Sequence, residues 1–247
     1  MELDDWESDN SDSVVDVNEE DEGEECYLAS FSKPKVQFRK HLSKARWINE
    51  MGMSEILEIK GQLWRTIGVV RDSKIYCSIE ETLYLAEEGA LHLLTDDDDG
   101  DKVVQLRDLH NKLASGKHGC CFESYEVYKH LRSLGYIVGR HGVLWSTKSQ
   151  LLGSSSMKID ELFEKLQINN DGIRPVFDVY SPNSKFRKTS PGNPCFILCL
   201  TSDKPPSRRE IGDIEKQCDG IPVKFCHVEH GRISFFSYEK VDIPSLP

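Results

Sequence analysis

The chain has 247 residues, of which 38% are hydrophobic and 30% are charged. This composition is ordinary for a soluble globular protein and provides one large core or two modest ones. The formal net charge is −11, but residues 1–30 contain thirteen Asp or Glu and no Lys or Arg, which leaves +2 for the remainder. No apolar run approaches the ~18 residues of a membrane-spanning helix.

The acidic N-terminus has no apolar segment, so we expect neither a secretory signal nor a transit peptide. We therefore predict a nuclear or cytosolic protein without a membrane partner. The eight cysteines have no framework spacing, which favours reduced and mostly buried thiols. No glycine-rich phosphate loop, H-E-x-x-H or G-x-S-x-G sequence occurs, and this excludes several enzyme classes.

Two groups of Cys and His could suggest zinc, one at residues 118–121 and the other at residues 226–230. In the first group the two cysteines are adjacent and cannot easily share one tetrahedral site, and no C-x-x-C sequence is present. For the second group the alternative is a strand end with a hairpin turn, which places neighbouring side chains on opposite faces. We therefore expect no metal and no cofactor at either group, namely His118, Cys120 and Cys121, or Cys226, His227 and His230.

Residues 1–25 are mainly Asp, Glu and Ser, and such a segment cannot bury enough apolar surface to order itself. We predict a disordered acidic tail over residues 1–30. The tail either competes with RNA for a basic surface or only improves solubility, and the sequence leaves both interpretations open.

Six cations follow the acidic tail within fourteen residues, interleaved with Phe31, Phe38 and Trp47. Cations bind a phosphate backbone and aromatic rings pack on sugars or bases, so this segment suits RNA contact. The alternative is a helix with one solvated cationic face. The predicted RNA-binding residues are Lys33, Lys35, Arg39, Lys40, Lys44 and Arg46.

A helix is predicted over residues 43–59 from Trp47, Met51 and Leu57, with a break near Gly52. Residues 63–70 and 74–77 are rich in β-branched and aromatic residues and predict a hairpin around residues 71–73. A second helix should begin at a capping box formed by Ser78 and Glu81. Gly89 is placed to end that helix.

The acidic loop 96–101 lacks the ligand spacing of a calcium site, so a solvated turn is the preferred interpretation. Amphipathic helices are predicted from Val103 to Gly116 and from Phe122 to Gly135, the second with Val127, Tyr128, Leu131 and Leu134 on one face. A strand at residues 136–138 follows. Residues 142–156 are predicted to form a connection, and residues 158–168 have helical spacing.

Residues 177–200 predict two strands joined by a basic loop rich in proline. Ser207 and Glu210 form another capping box, and strands are predicted at residues 222–228 and 232–238 around a turn at His230 and Gly231. The chain therefore belongs to the α/β (α+β) class, with a helical and hairpin N-terminal region followed by a mixed sheet flanked by helices.

Four segments carry a resemblance to a known family. They are residues 77–89 (CSIEETLYLAEEG), the pattern Tyr125-x-x-Tyr128-x-x-Leu131-x-x-x-Gly135-Tyr136, residues 177–180 (FDVY) with Phe186-Arg187-Lys188, and residues 227–236 (HVEHGRISFF). Over residues 33–247 the chain resembles the larger structural subunit, the Sen-fifty-four type, of the eukaryotic tRNA-splicing endonuclease. Ile79 stands where the family has a proline, a departure that leaves the helix intact.

This resemblance implies an assembly of four subunits in which two cut and two support. It divides the chain into the tail 1–30, an N-terminal RNA-binding and assembly domain at 31–115, and an endonuclease-like domain at 116–247. In the cutting subunits a Tyr, His and Lys triad makes the scissile 2'-hydroxyl attack its own phosphate, which leaves a 2',3'-cyclic phosphate and a 5'-hydroxyl. The reaction needs a base, an acid and a cation, but no metal.

Tyr180 lies where the triad tyrosine of this family would be. No histidine occurs between Tyr180 and Leu200, and Lys216 precedes the next strand by more than the lysine spacing of the family. Loss of one member of a cooperating set costs about 10²-fold or more in rate. The resemblance therefore implies a relic tyrosine and no catalytic residue in this chain.

We accordingly predict a non-catalytic subunit that pairs with a catalytic subunit of the two-type, joins the remaining two subunits and holds the mature body of pre-tRNA. An exposed sheet edge is a ready pairing template, which favours the C-terminal strands as the partner surface. The predicted interface residues are Phe177, Tyr180, Phe186, Arg187, Lys188, Phe235 and Phe236.

Two other functions remain open from the sequence. One is an active RNA nuclease with a different set of residues, such as Tyr180, His227 and Lys216. The other is a winged-helix-like regulator that binds nucleic acid through residues 125–140, although a second basic recognition helix is missing.

Overall fold

Two five-stranded sheets organise the residues described by the computed structural model, which are 42–95, 102–146, 173–182, 185–201 and 204–238. All of these residues lie in the unit Val36–Pro247. The predictions for the acidic tail, the acidic loop 96–101 and the helix at 158–168 fall outside the described residues. Mixed sheets with flanking helices confirm the predicted α/β class.

The first sheet has the strand order β3-β4-β2-β1-β5, with β1 and β5 parallel and the other neighbours antiparallel. Helix α1 lies between β4 and β5 in the chain and packs against the core of the sheet. The elements are β1 (Ser43–Ile48), β2 (Met53–Glu58), β3 (Val69–Arg71), β4 (Lys74–Cys77), α1 (Ile79–Glu87), β5 (Leu91–Leu94) and α2 (Leu106–Ala114).

The helix predicted over residues 43–59 is wrong, because this segment forms the β1–β2 hairpin. Ala45 and Trp47 are buried on one face, while Lys44 and Arg46 lie on the other, which is the two-residue period of a strand. Gly52 makes the turn at a φ of 59°, a left-handed conformation that suits glycine. The predicted hairpin at residues 71–73 is confirmed, with a shorter first strand.

The ends of α1 follow the predicted chemistry. The Ser78 N–H donates to Glu81 Oε2 at 3.0 Å, and Glu81 Oε1 accepts a second hydrogen bond from the Gly68 N–H at 2.8 Å. Gly89 follows the helix at a φ of 60°. The capping box therefore also fixes the segment that leads into β3.

The second sheet has the order β10-β9-β8-β7-β6, in which only β8 and β9 run parallel. Helix α3 packs on one face and α4 on the other. The elements are α3 (Phe122–Ser133), β6 (Ile137–Arg140), β7 (Arg174–Tyr180), β8 (Phe196–Leu200), α4 (Arg208–Gln217), β9 (Val223–Glu229) and β10 (Arg232–Phe236).

Most predicted elements of this half are confirmed, including the Ser207–Glu210 capping box with its 2.8 Å hydrogen bond from the Ser207 N–H to Glu210. Leu134 is an exception, because it caps the end of α3 and is 56% exposed instead of lying on the buried face. β6 is an edge strand of a five-stranded sheet, and the α3 residues Tyr128 and Leu131 are buried against that sheet. This geometry does not resemble the small wing of a winged helix.

A buried ion pair joins α1 to β6 and so connects the two sheets. Arg140 Nε and Nη2 donate to the two carboxylate oxygens of Glu80 at 2.6 and 2.5 Å, and Nη2 also donates to the His118 carbonyl at 3.0 Å. The side chain of Glu80 is 1% exposed and that of Arg140 is 13% exposed. Burial opposes ionisation of Glu80, but the charge and hydrogen bonds of Arg140 prevail and lower its pKa.

Three further hydrogen bonds join the loops of the second sheet to the region of β3. The Val70 N–H donates to the Trp145 carbonyl at 2.8 Å, Arg71 Nη2 donates to the Leu144 carbonyl at 2.6 Å, and Lys188 Nζ donates to the Ile67 carbonyl at 2.5 Å. The two sheets are therefore held together by directional contacts as well as by apolar packing.

Removal of the Arg140 side chain should destabilise the protein strongly. Arg140→Met leaves the Glu80 carboxylate buried without a counterion, which costs about 3–5 kcal/mol in the free energy of unfolding. Glu80→Leu/Arg140→Met should recover much of that stability, because neither charge remains. Urea unfolding measures both values, with Arg209→Met on exposed α4 as the control. A cost below about 1 kcal/mol for Arg140→Met would contradict the structural role of the pair.

The same pair predicts a dependence of stability on pH. Because the pKa of Glu80 is lowered in the folded state, its contribution is present above the ordinary value of 4.5 and is lost as pH falls through the folded pKa. The unfolding free energy of the wild type should therefore fall relative to that of the double variant in acid below pH 4.5. A difference that stays constant down to pH 3 would oppose this account.

Candidate functional site

Tyr180, the predicted relic of a catalytic tyrosine, ends β7 in a small aromatic cluster. Its ring centroid lies 6.2 Å from that of Trp145 and 5.3 Å from that of Phe186, and the residue is 8% exposed. Burial raises the pKa of Tyr180, while the neighbouring Trp145 side chain acts in the opposite direction. The hydroxyl is therefore part of the packing of this chain and is poorly suited to act as a base.

The residues of the alternative nuclease site do not meet around Tyr180. Tyr180 lies beside Cys195 at the start of β8, since the Cys195 N–H donates to Val179, whereas His227 contacts Thr201 beyond the end of β8. Six residues of strand separate these ends by roughly 20 Å. Lys216 on α4 is largely exposed and lies 3.4 Å from Asp213. The structure therefore contradicts a shared site of Tyr180, His227 and Lys216.

His141 also lies away from Tyr180, although it borders the same strand. Its backbone N–H donates to Val176, while Tyr180 is paired with Ile137 at the other end of β6. The four residues from Val176 to Tyr180 span roughly 13 Å. His141 therefore does not replace the missing histidine of the triad.

The predicted interface residues occupy different environments. Phe177 is 1% exposed in the core beneath α3, and Tyr180 is nearly as buried, so their side chains belong to the core of this chain. Phe186 is half-buried against Trp145 at 5.2 Å. Arg187 is exposed. The interface role of these residues remains a prediction. Only those with exposed side chains can contact a partner directly.

Lys188 is held inside the chain by the Ile67 carbonyl. Burial lowers the pKa of Lys188, while the nearby Glu81 carboxylate acts in the opposite direction. This lysine therefore anchors the basic loop to the first sheet. Arg187 is the neighbouring cation that remains at the surface.

Two of the six predicted RNA-binding cations are described, and both lie on β1. Lys44 is exposed with its Nζ atom 3.6 Å from Glu58, and Arg46 is half-buried on the same face of the strand. Lys33, Lys35, Arg39 and Lys40 lie outside the described residues. The RNA-binding role of the whole segment remains a prediction.

The outer strand β10 presents an aromatic surface at one end of the second sheet. Phe235 is 37% exposed and stacks on His130 of α3 at 5.8 Å, whereas Phe236 is half-buried against Phe225 at 5.9 Å. In the described part of the chain β10 pairs only with β9. Its outer edge therefore carries backbone groups that another strand can bind.

The two Cys and His groups do not assemble metal sites in the described part of the chain. Cys226 is fully buried while the neighbouring His227 is half-buried, as expected for opposite faces of a strand. Burial raises the pKa of the Cys226 thiol to about 12, so it remains protonated near neutral pH. No described helix is long and apolar enough to span a membrane.

Sequence reasoning missed two polar pairs that the structure brings together. One is Glu80 with Arg140, and the other is His141 with Asp178, whose Nδ1 and Oδ1 atoms lie 2.6 Å apart. A glutamate in the first turn of a buried helix is a signal that some cation is needed nearby, but it does not identify which one. No local signal identifies Asp178 as the partner of His141.

Comparisons with known proteins confirm the resemblance inferred from the sequence. Residues 28–95 match the family described as tRNA-splicing endonuclease subunit sen54 N-term. A Mus musculus protein named tRNA-splicing endonuclease subunit Sen54 is 30% identical over 99 residues, which are 40% of this chain and 18% of the mouse protein.

A second relative matches most of the chain. The Schizosaccharomyces pombe protein named Probable tRNA-splicing endonuclease subunit sen54 is 22% identical over a 245-residue alignment that covers 75% of this chain and 62% of the yeast protein. The matched regions thus span less than two thirds of either relative.

The environment of Tyr180 predicts a modest structural role for its hydroxyl. Tyr180→Phe removes a hydroxyl that is packed beside Trp145 and should cost about 0.5–1.5 kcal/mol in unfolding free energy, measured in urea. Tyr238→Phe is the matched control, because that residue is 40% exposed and should change stability by less than about 0.5 kcal/mol. Equal effects of the two substitutions would contradict a structural role of the Tyr180 hydroxyl.

Proposed function

From the match of residues 28–95 to the Sen54 N-terminal family, we propose that the chain is a non-catalytic subunit of a tRNA-splicing endonuclease. It supports a catalytic subunit of the two-type and binds the mature body of pre-tRNA, so that the distance from this body sets the cut sites. The complex works in the nucleus and cleaves RNA, while this chain contributes no catalytic residue.

The environment of Tyr180 carries the non-catalytic part of the proposal. A general base must reach the 2'-hydroxyl of the RNA and exchange a proton with it. Tyr180 is 8% exposed, its ring packs against Trp145 and Phe186, and burial raises its pKa. His227 is at the opposite end of β8, so it cannot serve as an acid beside the tyrosine.

The edge of β10 supports pairing with another subunit. A partner strand that adds to this edge satisfies the free backbone groups, and Phe235 adds apolar area beside them. Phe177 and Tyr180 contribute indirectly, because they build the core that holds the sheet. Phe236 lies on the same strand and is half-buried, whereas the exposed Arg187 belongs to the loop after β7 and would need a separate contact with the partner.

The basic segment supports contact with pre-tRNA. Its cations lie next to the first sheet in the chain, and Lys44 and Arg46 occupy one face of β1. Phosphate contacts of this kind position RNA without reading its sequence, as recognition of many different pre-tRNAs requires. Binding by this segment therefore fits a subunit that measures a shape common to all tRNAs.

A cleavage assay with the reconstituted four-subunit complex tests the catalytic assignment. Tyr180→Phe in this chain should leave the single-turnover cleavage rate of pre-tRNA within about twofold of the wild type. Substitution of the triad histidine of a catalytic subunit should lower cleavage at that subunit's site by about 10²-fold or more. A decrease of tenfold or more with Tyr180→Phe, in a complex that assembles normally, would assign a catalytic role to this chain.

A salt titration tests the RNA contact. Neutralised cations should weaken binding of pre-tRNA and reduce the slope of log K against log salt by roughly 0.9 for each phosphate that is no longer neutralised by the protein. The assay uses the complete complex with the glutamine variants of Lys35, Arg39, Lys40, Lys44 and Arg46.

The control for this titration neutralises five exposed cations elsewhere and should leave the slope nearly unchanged. Equal affinity and slope for the test variant and the wild type would disprove the RNA-binding part of the proposal. The control residues are Lys117, Lys204, Arg208, Arg209 and Lys216.

A substitution on β10 tests the partner surface. Phe235→Lys places a charge beside the free strand edge, so it should reduce co-purification of the catalytic subunit at least tenfold and leave the isolated chain folded. Leu57→Lys is the matched control, because Leu57 is an exposed apolar residue at 46% on the first sheet. Undiminished co-purification with Phe235→Lys would exclude this edge as the interface.

A further inference from the structure

A pocket of about 70 Å³ lies between the β6–β7 edge and the start of α3, away from Tyr180. Such a volume exceeds the space of one water molecule several-fold. The polar side chains that line it are Glu80, Ser124, Arg140, His141 and Arg174. The pocket therefore brings two arginines and a histidine to one small cavity.

The charges of the pocket favour an anion. The two oxygens of Glu80 are occupied by Arg140 Nε and Nη2, so this carboxylate is neutralised within the wall. Arg174 is half-buried and has no ion-pair partner among the described residues, while the Asp178 carboxylate beside the pocket is bound to His141.

His141 is oriented by its neighbours on β7. Its backbone N–H donates to Val176 at 2.9 Å, and its Nδ1 lies 2.6 Å from Asp178 Oδ1. Because Nδ1 is occupied, Nε2 is the ring nitrogen that remains for a ligand. With Nδ1 bound to Asp178, a proton on Nε2 makes that atom a donor for an anionic oxygen.

The start of α3 adds backbone donors to these side chains. Gly119, Cys120 and Ser124 line the pocket, and the helix begins at Phe122 without a side-chain cap. The first N–H groups of a helix have no partner within the helix and favour negative charge. The cavity, the free arginine and the oriented histidine are the features that carry the site, and the helix supports them.

We propose that this pocket binds a phosphate group through Arg174 and His141, with Arg140 as the rigid wall between them. A guanidinium is well suited to this ligand because its planar donors match two oxygens of a phosphate. The ligand chemistry is a phosphodiester of RNA or the phosphate of a small molecule. The RNA source rests on the proposed function, whereas the phosphate site itself does not.

Inorganic phosphate is the first probe. Titration into the full-length chain, followed by ¹⁵N NMR, should give saturable shifts of the Gly142 N–H and the Arg174 Nε–H. Arg174→Gln should weaken binding about tenfold or more, as expected when one charged hydrogen bond is removed. Arg209→Gln is the control on α4, where the side chain is 93% exposed.

Two further variants distinguish a loss of phosphate binding from a folding defect. His141→Gln should also weaken phosphate binding while the amide spectrum outside the pocket stays unchanged, and Arg174→Lys should retain part of the affinity. Absence of saturable shifts at the pocket, or equal phosphate affinity in Arg174→Gln and the wild type, would overturn the proposal.

Pre-tRNA binding by the complete complex distinguishes an RNA phosphodiester from the phosphate of a small molecule as the ligand. If the pocket holds an RNA phosphodiester, Arg174→Gln lowers pre-tRNA affinity as well as phosphate affinity, and Arg209→Gln serves again as the control. If it holds a small phosphorylated molecule, only phosphate affinity falls. Failure of the complex to bind pre-tRNA would disprove the proposed function and leave the phosphate titration valid.

Discussion

The Glu80–Arg140 ion pair is the contact on which the joined sheets depend. It takes one side chain from the first turn of α1 and one from the end of β6, and it buries both where solvent cannot compensate an unpaired charge. Buried pairs of this kind add little net stability compared with apolar packing, but they tolerate few alternative arrangements. The pair therefore fixes how α1 packs against β6. The hydrogen bonds around β3 add further contacts to this junction between the two sheets.

The position of this junction accounts for both candidate sites. At one end of β7, Trp145 is held by its hydrogen bond to Val70 and covers Tyr180, so the tyrosine is packed within the chain. At the other end, Arg140 stands beside Arg174 and His141 and forms a polar pocket. This arrangement packs Tyr180 into the chain and leaves the polar side chains of the pocket for a ligand, as the proposed supporting role requires.

Sequence reasoning succeeded where structure is determined locally. The capping boxes at Ser78 and Ser207 predicted the starts of two helices, because their hydrogen bonds involve residues three apart. It failed at residues 43–59, where widely spaced apolar residues imitated a helix and the strand alternation of Ala45 and Trp47 was overlooked. The Glu80–Arg140 pair spans 60 residues, and no local pattern encodes such a contact.

Native mass spectrometry of the complex purified with the full-length chain tests the central claim most directly. We expect one copy of this chain with three different subunits, of which two carry an intact Tyr, His and Lys triad. Such an assembly would place the cutting chemistry on other chains, as the packed state of Tyr180 requires. A chain that is recovered alone or only as copies of itself, and that cleaves pre-tRNA in that state, would contradict the account.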